Sequence, residues 1–465
     1  MTAEPGRRGR LAVPGITVYQ RGKTWSYRVD LDPHPLTGKR QRENRGGFAT
    51  DDEAWSEALK ARGELEAGRH VKRSRRKVRQ FVAEWLAAIE PAVKRSTYVN
   101  YVDYLDAYVL PVLGDRRLQD ITVTVLNTFS RHLLENGRRK TNTNLTMYAY
   151  WARQTRADRP VTAAELAEVG KTTIHAGRAA LGRYRRGRVP RDIGTGLAPK
   201  TVRNVLNMLH KAFGDAVVWR YIEINPAEHV VKPRVGRHRP TTWDAVQLGT
   251  WVRAADVDRF RALWMLAATT GMRRSELAGI DRDGLDLDAA TLVIADTRVV
   301  VGGKAIDEDG KSDSGRRMIA LDAPTVAILR EHLTMLDRER ESWSGDYPDH
   351  GKLFVYEDGR PIHPDTITRR FNRLVDRAGL PRIRLHDVRH SYATVSIDAG
   401  ANPKVVSERI GHASLAFTLA TYVQRTGDLT REATTATTVT NLILGREETK
   451  DSDVTDDTKE PEEED

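Results

Sequence analysis

Between residues 15 and 50, hydrophobic and polar positions alternate with a period of two in GITVYQRG, TWSYRVDLD and KRQRENRGGF. That alternation predicts three short strands, with turns at Arg21-Gly22 and Leu36-Thr37-Gly38. From Asp51 the period lengthens to that of a helix: Ala54, Trp55, Ala58 and Leu65 make one apolar stripe, and Thr50 or Asp51 is the cap. From about 78 to 230 the pattern is helical throughout. In STYVNYVDYLDAYVL, Ser96 reads as a cap, Tyr98, Tyr101, Leu105 and Tyr108 fall at helical spacing, and Leu110-Pro111 reads as the stop. A further helix, Thr201 to Val218, puts Val202, Val205, Leu209, Phe213 and Ala216 on one face ahead of Asn225-Pro226. The stretch of about 137–198 between these helices has a weaker pattern and reads as an insertion, with one helix near Ala163–Leu181. From 240 to 445 helices mix with strands near Thr291–Val301 and Arg317–Leu321.

A chain of 465 residues is too long for one ordinary core, so two to four domains are expected. With 30% charged and 39% hydrophobic residues the composition is that of a water-soluble protein. No apolar run approaches the roughly 18 residues of a membrane span, since Phe260–Met272 is short and broken by Arg261. The basic start MTAEPGRRGR lacks an apolar segment behind it, so no secretory signal is read and the expected location is the cytoplasm, in association with the nucleoid. The absence of cysteine excludes disulfides, zinc ribbons and thiol catalysis.

Charge sharpens the picture. The net charge is +11, but the tail Arg446–Asp465 holds 11 acids against 3 bases, so the rest of the chain carries +19. A body that basic suits a polyanion, and nucleic acid is the first candidate; a generally arginine-rich composition is the blander explanation. The tail and the first 14 residues are expected to be disordered. Residues 71–79, VKRSRRKVR, hold six bases in nine and read either as a solvated interdomain linker or as a linker that also lies along a DNA groove. The insertion is basic too, with 13 bases against 4 acids.

Candidate chemistry gathers in the last large unit. TTGMRRSEL (269–277) places Arg273 and Glu276 one helical turn apart after an apolar helix. KSDSGRRMIAL (311–321) puts Lys311 at a turn entering a strand, and Lys304 is the rival lysine. RLHDVRHSYAT (384–394) supplies His386 and Arg389; such a His-x-x-basic pair is expected roughly twice by chance in this composition, so alone it says little. Gly411-His412 ends a short helix begun at Asn402-Pro403, and SLAFTLATYVQ holds Tyr422. Leu415, Leu419 and Tyr422 at i, i+4 and i+7 would ordinarily be a packed stripe. The ordered set Arg273, Lys311, His386, Arg389, His412, Tyr422 within 150 residues argues otherwise.

That set resembles the tyrosine site-specific recombinases of the phage integrase family. TGMRRSEL resembles the family's first arginine box, LHDVRHSYAT its H-x-x-R box, and IGHASLAFTLATY its Gly-His to Tyr box. The resemblance implies a multidomain α+β fold: an arm-type DNA-binding domain over 15–70 built of a small three-stranded sheet plus a helix, and a helical core DNA-binding domain over 80–235 that carries the insertion. A mainly α catalytic domain with a small antiparallel sheet follows over 240–445. It further implies that the last two domains close around duplex DNA as a C-shaped clamp, that Tyr422 attacks to leave a 3′-phosphotyrosyl link, and that no metal, cofactor or ATP is used. A homotetramer on attachment-site DNA would exchange segments after Tyr422, up to Leu444, with an excisionase and a host DNA-bending protein as candidate helpers. Arm-face contacts would come from Arg21, Lys23, Lys39, Arg40, Arg42 and Arg45, with Arg28 on the same sheet, and linker contacts from Lys72, Arg73, Arg75 and Arg76.

The residue types suit the reaction on physical grounds. A tyrosine hydroxyl, with a pKa of about 10, is a poor nucleophile, and a phosphodiester repels it. Arg273 and Arg389 answer the second difficulty with fork geometry on the non-bridging oxygens. His386 orients the phosphate or handles the tyrosine proton, Lys311 protonates the departing 5′ oxygen, His412 bonds the phosphate, and Glu276 steadies the network. Tyr392, three residues after Arg389, is assigned to packing. Two rival functions share the fold: a non-catalytic DNA-binding regulator, against which intact Arg273, Arg389 and Tyr422 argue, and a type IB topoisomerase, which would relax plasmids lacking any recombination site.

Overall fold

The computed structural model describes residues 13–31, 33, 38–67, 71–139, 142–236, 240–309, 316–412, 415–416 and 419. They fall into two compact units, Met1–His238 and Arg239–Asp465.

The first unit opens with the expected antiparallel sheet: β1 (Ile16–Arg21), β2 (Thr24–Leu31) and β3 (Gln41–Phe48), in that order. Its inward positions Tyr27 and Val29 are buried against Ala58 and Ala61 of α1 (Asp51–Glu66), whose cap is Thr50, its hydroxyl accepting from the Glu53 amide. Small alanines on α1 let the helix lie close to the sheet, which is how so short a domain closes a core.

The basic run that follows is not a loose tether. The Leu118 amide donates to the Arg76 carbonyl, the Ser74 amide to Gln119 Oε1, and Gln119 Nε2 reaches the carbonyls of both Lys72 and Tyr221. Helix α2 (Val78–Ile89) already contains the last two residues of that run, so the helical domain begins at its basic edge.

After α2 come α3 (Arg95–Tyr104), α4 (Leu110–Leu113), α5 (Val123–Asn136) and, beyond the insertion, α9 (Pro199–Val218). The insertion itself supplies α6 (Thr143–Arg156), α7 (Ala163–Val169) and α8 (Ile174–Arg185). Phe81, Trp85, Leu105, Leu126, Phe129, Val205, Leu209 and Phe213 share one core, with the Trp85 indole N–H donating to Asp215 Oδ2 at 2.8 Å. Two expectations need correction here. The helix expected to stop at Leu110-Pro111 runs on to Leu113, because Leu105–Val109 forms a π-turn in which the Leu110 amide bonds the Leu105 carbonyl, and the shifted register accommodates a proline without an N–H. Ser96 is not the cap of that run, since the helix starts at Arg95.

The second unit is built on α10 (Ala245–Ala254), α11 (Arg261–Thr270), α12 (Arg274–Gly279), α13 (Ala323–Ser342), α14 (Pro364–Arg377), α15 (Leu385–Asp398) and α16 (Pro403–Ile410). Strands β4 (Leu285–Asp286), β5 (Thr291–Ile294) and β8 (Arg317–Ala320) form one antiparallel sheet, while β6 (Asp296–Val301) and β7 (Lys304–Asp309) form a separate hairpin. Trp243, Trp251, Trp264 and Phe371 pack in the centre through tilted and edge-to-face ring contacts. Ser391 ties α15 to this core: its hydroxyl donates to the Asp387 carbonyl and accepts from the Trp243 amide. The helix that carries His386 and Arg389 is thus fixed in rotation before any substrate arrives.

Candidate active site

Three chain segments meet around Glu276. Helix α11 is apolar and buried, and it ends at Gly271, whose φ of 62° is left-handed. A Cβ on Gly271 would stand 2.7 Å from the Tyr392 ring and 3.1 Å from Ile410, so glycine is required twice over, for conformation and for space. The turn it makes delivers Arg273 to the start of α12 and points the Gly271 carbonyl at Arg389, whose Nη1 donates to it at 2.9 Å. The half-buried Tyr392 has its ring against this turn.

Glu276 is buried, and two arginines share its carboxylate. Arg273 donates from its backbone amide (2.8 Å) and from Nη1 (2.5 Å), and Arg317 from Nη2 (3.0 Å). Burial opposes ionisation of Glu276, but the Arg317 hydrogen bond and charge, together with Arg273, outweigh it and hold the carboxyl below its usual range. Both arginines also grip the end of α16: Arg273 Nη2 donates to the Gly411 carbonyl at 2.6 Å, and Arg317 Nε to the Arg409 carbonyl at 2.7 Å. Glu276 therefore locks α12, β8 and the Gly-His corner together.

Arg317 was not singled out in the sequence, although a signal was present. It shares a strand face with the buried Ile319, two residues on, and an arginine on an inward face of a strand needs a partner.

Helix α15 brings His386, Arg389 and His390 onto one side, with the two imidazoles edge to face at 5.1 Å. Arg389 is only 2% exposed, while His386 lies at the surface. His412 completes the group. Burial and the Arg389 and Arg273 charges push its pKa down to about 3; burial and His386 push His390 down to about 4; desolvation of its ring and Arg389 lower His386. With their pKa values lowered, all three rings favour the neutral form near pH 7, beside the Arg273 and Arg389 charges. His390, the third imidazole, escaped the sequence reading because it adjoins Arg389 outside the H-x-x-R spacing.

Arg273, Glu276, His386, Arg389 and His412 are thus brought together. Lys311 and Tyr422 lie outside the described residues, as do the segment up to Leu444 and the acidic tail. Lys304 is exposed at the tip of the β6–β7 hairpin. On the N-terminal sheet, Arg40 and Arg42 both pair with Asp30, Arg45 with Glu57, and Arg28 bonds Asn44, whereas Arg21, Lys23 and Lys39 are simply exposed. In the basic run, Arg76 lies over the Tyr221 ring at 4.3 Å and pairs with Glu84, so it serves the helical domain's own packing. Lys72 and Arg73 line the adjoining surface cavity, and Arg75 is exposed.

Among the described residues no group of three or more metal-ligating side chains is assembled, and no helix is long and apolar enough to cross a membrane.

Comparison with known proteins follows the same layout. Residues 17–64 match an Arm DNA-binding domain, 77–134 the N-terminal SAM-like domain of phage integrases, and 247–427 the phage integrase family. The chain is 26% identical over 247 residues to a XerC-like tyrosine recombinase of Caldanaerobacter subterraneus subsp. tengcongensis, covering 49% of this chain and 63% of that protein. It is 24% identical over 237 residues to the ICEBs1 integrase of Bacillus subtilis, covering 49% and 62%. These matches thus span less than two thirds of either relative. Against a prophage phiRv2 integrase of Mycobacterium tuberculosis the identity is 29% over 39% of this chain and 46% of that one. The fold is similar to that of the Tn1549 transposon integrase solved with a circular intermediate DNA, with a TM-score of 0.52 at 18% identity over 78% of this chain and 99% of that one. Small sheet, helical bundle and arginine–histidine pocket follow one another as they do in a single family, and the chain belongs to it: the phage integrase family of tyrosine recombinases.

Proposed function

We propose that this protein is a site-specific recombinase that integrates or excises a phage or other mobile element, cutting and rejoining duplex DNA at attachment sites through a 3′-phosphotyrosyl link to Tyr422. The observation that carries the reading is the convergence of Arg273, Arg389, His386 and His412 from three separate segments into one cationic pocket with neutral imidazoles.

In the proposed reaction the Tyr422 oxygen bonds the phosphorus as the bond to the 5′ oxygen breaks. Arg273 and Arg389 neutralise the charge that concentrates on the non-bridging oxygens. A neutral His386 is free to accept the tyrosine proton, and His412 bonds the phosphate. Lys311 gives a proton to the departing 5′ oxygen. One phosphodiester is exchanged for another, so rejoining needs no ATP and no metal. Exchange between two duplexes requires four cuts, hence a homotetramer on DNA, with the segment from Tyr422 to Leu444 passed between protomers. An excisionase and a host DNA-bending protein would set direction, and the work would be done in the cytoplasm on the nucleoid.

The test is a denaturing gel of protein incubated with a nicked suicide duplex from the element's own junction, wild type beside Tyr422→Phe. An adduct with wild type alone is the expected result. An adduct that survives the substitution moves the nucleophile elsewhere, and tight binding with no adduct from wild type sinks the recombinase reading.

A further inference from the structure

The insertion at 137–198 holds a small domain of its own. Its flanks run side by side as a stem: the Arg138 amide donates to the Thr195 carbonyl at 2.8 Å, the Thr195 hydroxyl to the Glu135 carbonyl, and Asn142 Nδ2 to the Arg191 carbonyl. Beyond the stem, Met147, Val161, Leu166, Ala180, Leu181 and Tyr184 form a core separate from that of the surrounding bundle. Tyr184 fastens α8 to α6, its hydroxyl within 2.8 Å of both the carbonyl and the side-chain oxygen of Asn144.

The single helix expected near Ala163–Leu181 is in fact two. Helix α7 stops at Gly170, and Lys171 takes φ 46° so that the Thr172 amide bonds the Ala167 carbonyl, a reversal that closes α7. Thr173 then caps α8. The two helices cross very closely, since a Cβ on Gly177 would lie 2.2 Å from the Ala163 carbonyl oxygen. Two short helices joined by a four-residue turn containing glycine, supported by a third helix, is the build of a helix-turn-helix.

The exposed side of α8 has the chemistry for a duplex. Gly177, Ala180, Leu181 and Tyr184 face inward, leaving Ile174, His175, Arg178 and Arg185 outward, with Ala179 between the arginines keeping the face low. Ile174 is 55% exposed at the first turn, an apolar group presented to solvent. From Lys171 to Arg191 there are seven basic residues and no acidic one. A helix of 12 residues, about 18 Å long, with a low cationic face fits the major groove, where its first turn meets base edges, an apolar group meets thymine methyls and arginine meets guanine N7 and O6.

We infer that α7 and α8 form a helix-turn-helix that places α8 in the major groove of duplex DNA, giving this chain a third DNA-reading element besides its arm sheet and helical core domain. Dimethyl sulfate protection of an end-labelled duplex spanning the element's junction tests this, with full-length wild type, an Arg178→Glu/Arg185→Glu variant and an Arg153→Glu/Arg156→Glu variant that changes the same charge on α6. The α8 variant is expected to lose one block of guanine N7 protections and about tenfold or more in affinity, with a shallower salt dependence, while other protections persist. At saturating protein its covalent adduct on the suicide duplex is unchanged, because the exchanged arginines are far in sequence from the pocket and exposed. The α6 variant keeps the block. Protections that survive the α8 exchange, or that vanish equally with the α6 exchange, overturn the inference. An absent wild-type adduct with the α8-dependent block present would instead sink the recombinase reading and leave this one standing.

Discussion

In the N-terminal sheet, Arg40 and Arg42 share Asp30 at the surface; in the second unit, Arg273 and Arg317 share Glu276 beneath it. The two arrangements look alike on paper, a carboxylate between two guanidiniums. Asp30 is partly covered, with 25% of its side chain exposed, but its arginine partners reach into solvent, where a pair gains little and either arginine can leave for a phosphate at small cost. Glu276, with 3% of its side chain exposed, cannot lose a partner without stranding a buried charge, so its arginines are held in fixed positions and donate to backbone carbonyls as well. The surface carboxylate keeps cations soluble and available, while the buried one turns cations into framework.

The comparison is sharpened most strongly by Arg389→Ala. It removes a buried guanidinium that binds the Gly271 carbonyl and, in the proposed reaction, the phosphate. Adduct formation on a suicide duplex is expected to fall by about a hundredfold or more. Arg389→Lys, which keeps the charge and loses the fork, should recover little of it. Adduct formation near wild-type levels in both would show that the buried arginine is framework only.

Next in size is Glu276→Gln. Removing the shared charge should destabilise the second unit by about 3–5 kcal/mol in denaturant unfolding, and Arg317→Met should cost a similar part of that without touching the phosphate. Because Glu276 titrates below its ordinary value in the fold, its contribution is fully present above the ordinary carboxylate range and is lost as pH falls from there through the lowered folded-state value. An acid-stability curve unchanged by Glu276→Gln would contradict the assignment.

The histidines give a milder, earlier acid effect. His390 resists protonation down to about pH 4, whereas an unfolded histidine takes a proton near 6.5, so stability should decline as pH drops from 6.5 toward 4. That decline is worth about 1–3 kcal/mol, and His390→Gln should flatten it; an equally steep slope in the variant would move the effect to another group. Bound phosphodiester should also lessen the decline, by favouring protonated rings in the folded state, which a titration with DNA present would register.

Smallest of all is Arg42→Ala on the sheet. The melting temperature should not move measurably, while the salt dependence of DNA binding should lose about one unit of slope if Arg42 leaves Asp30 for a phosphate. An unchanged slope would mean that the surface pair stays closed on DNA.

Legibility in the sequence followed the range of the interactions involved. The arm-like sheet and its helix were readable because period-two alternation, Gly22 and the Thr50 cap act within a few residues. The Arg273, His386 and Gly411-His412 boxes were readable because each sits in its own short motif. Gly170 and Lys171 were misread as helix interior, since a left-handed turn at a lysine is imposed by the packing of α7 on α8 and leaves no local mark. The proline at 111 was misread for a related reason, a π-turn being a compromise with core packing.

The sequence by itself therefore determined the strands, most helices, the basic character and the identity of the chemical groups, all set by neighbours along the chain. Only the tertiary structure decided that Glu276 is shared by Arg317, that Arg389 holds the carbonyl of Gly271, that His390 joins the neutral imidazoles, and that α8 presents a bare cationic face. Each of these depends on residues tens to more than a hundred positions apart brought within hydrogen-bonding distance, or on which side of a helix the core happens to cover. Burial then sets the strength of those charges, and burial is a property of the folded chain alone.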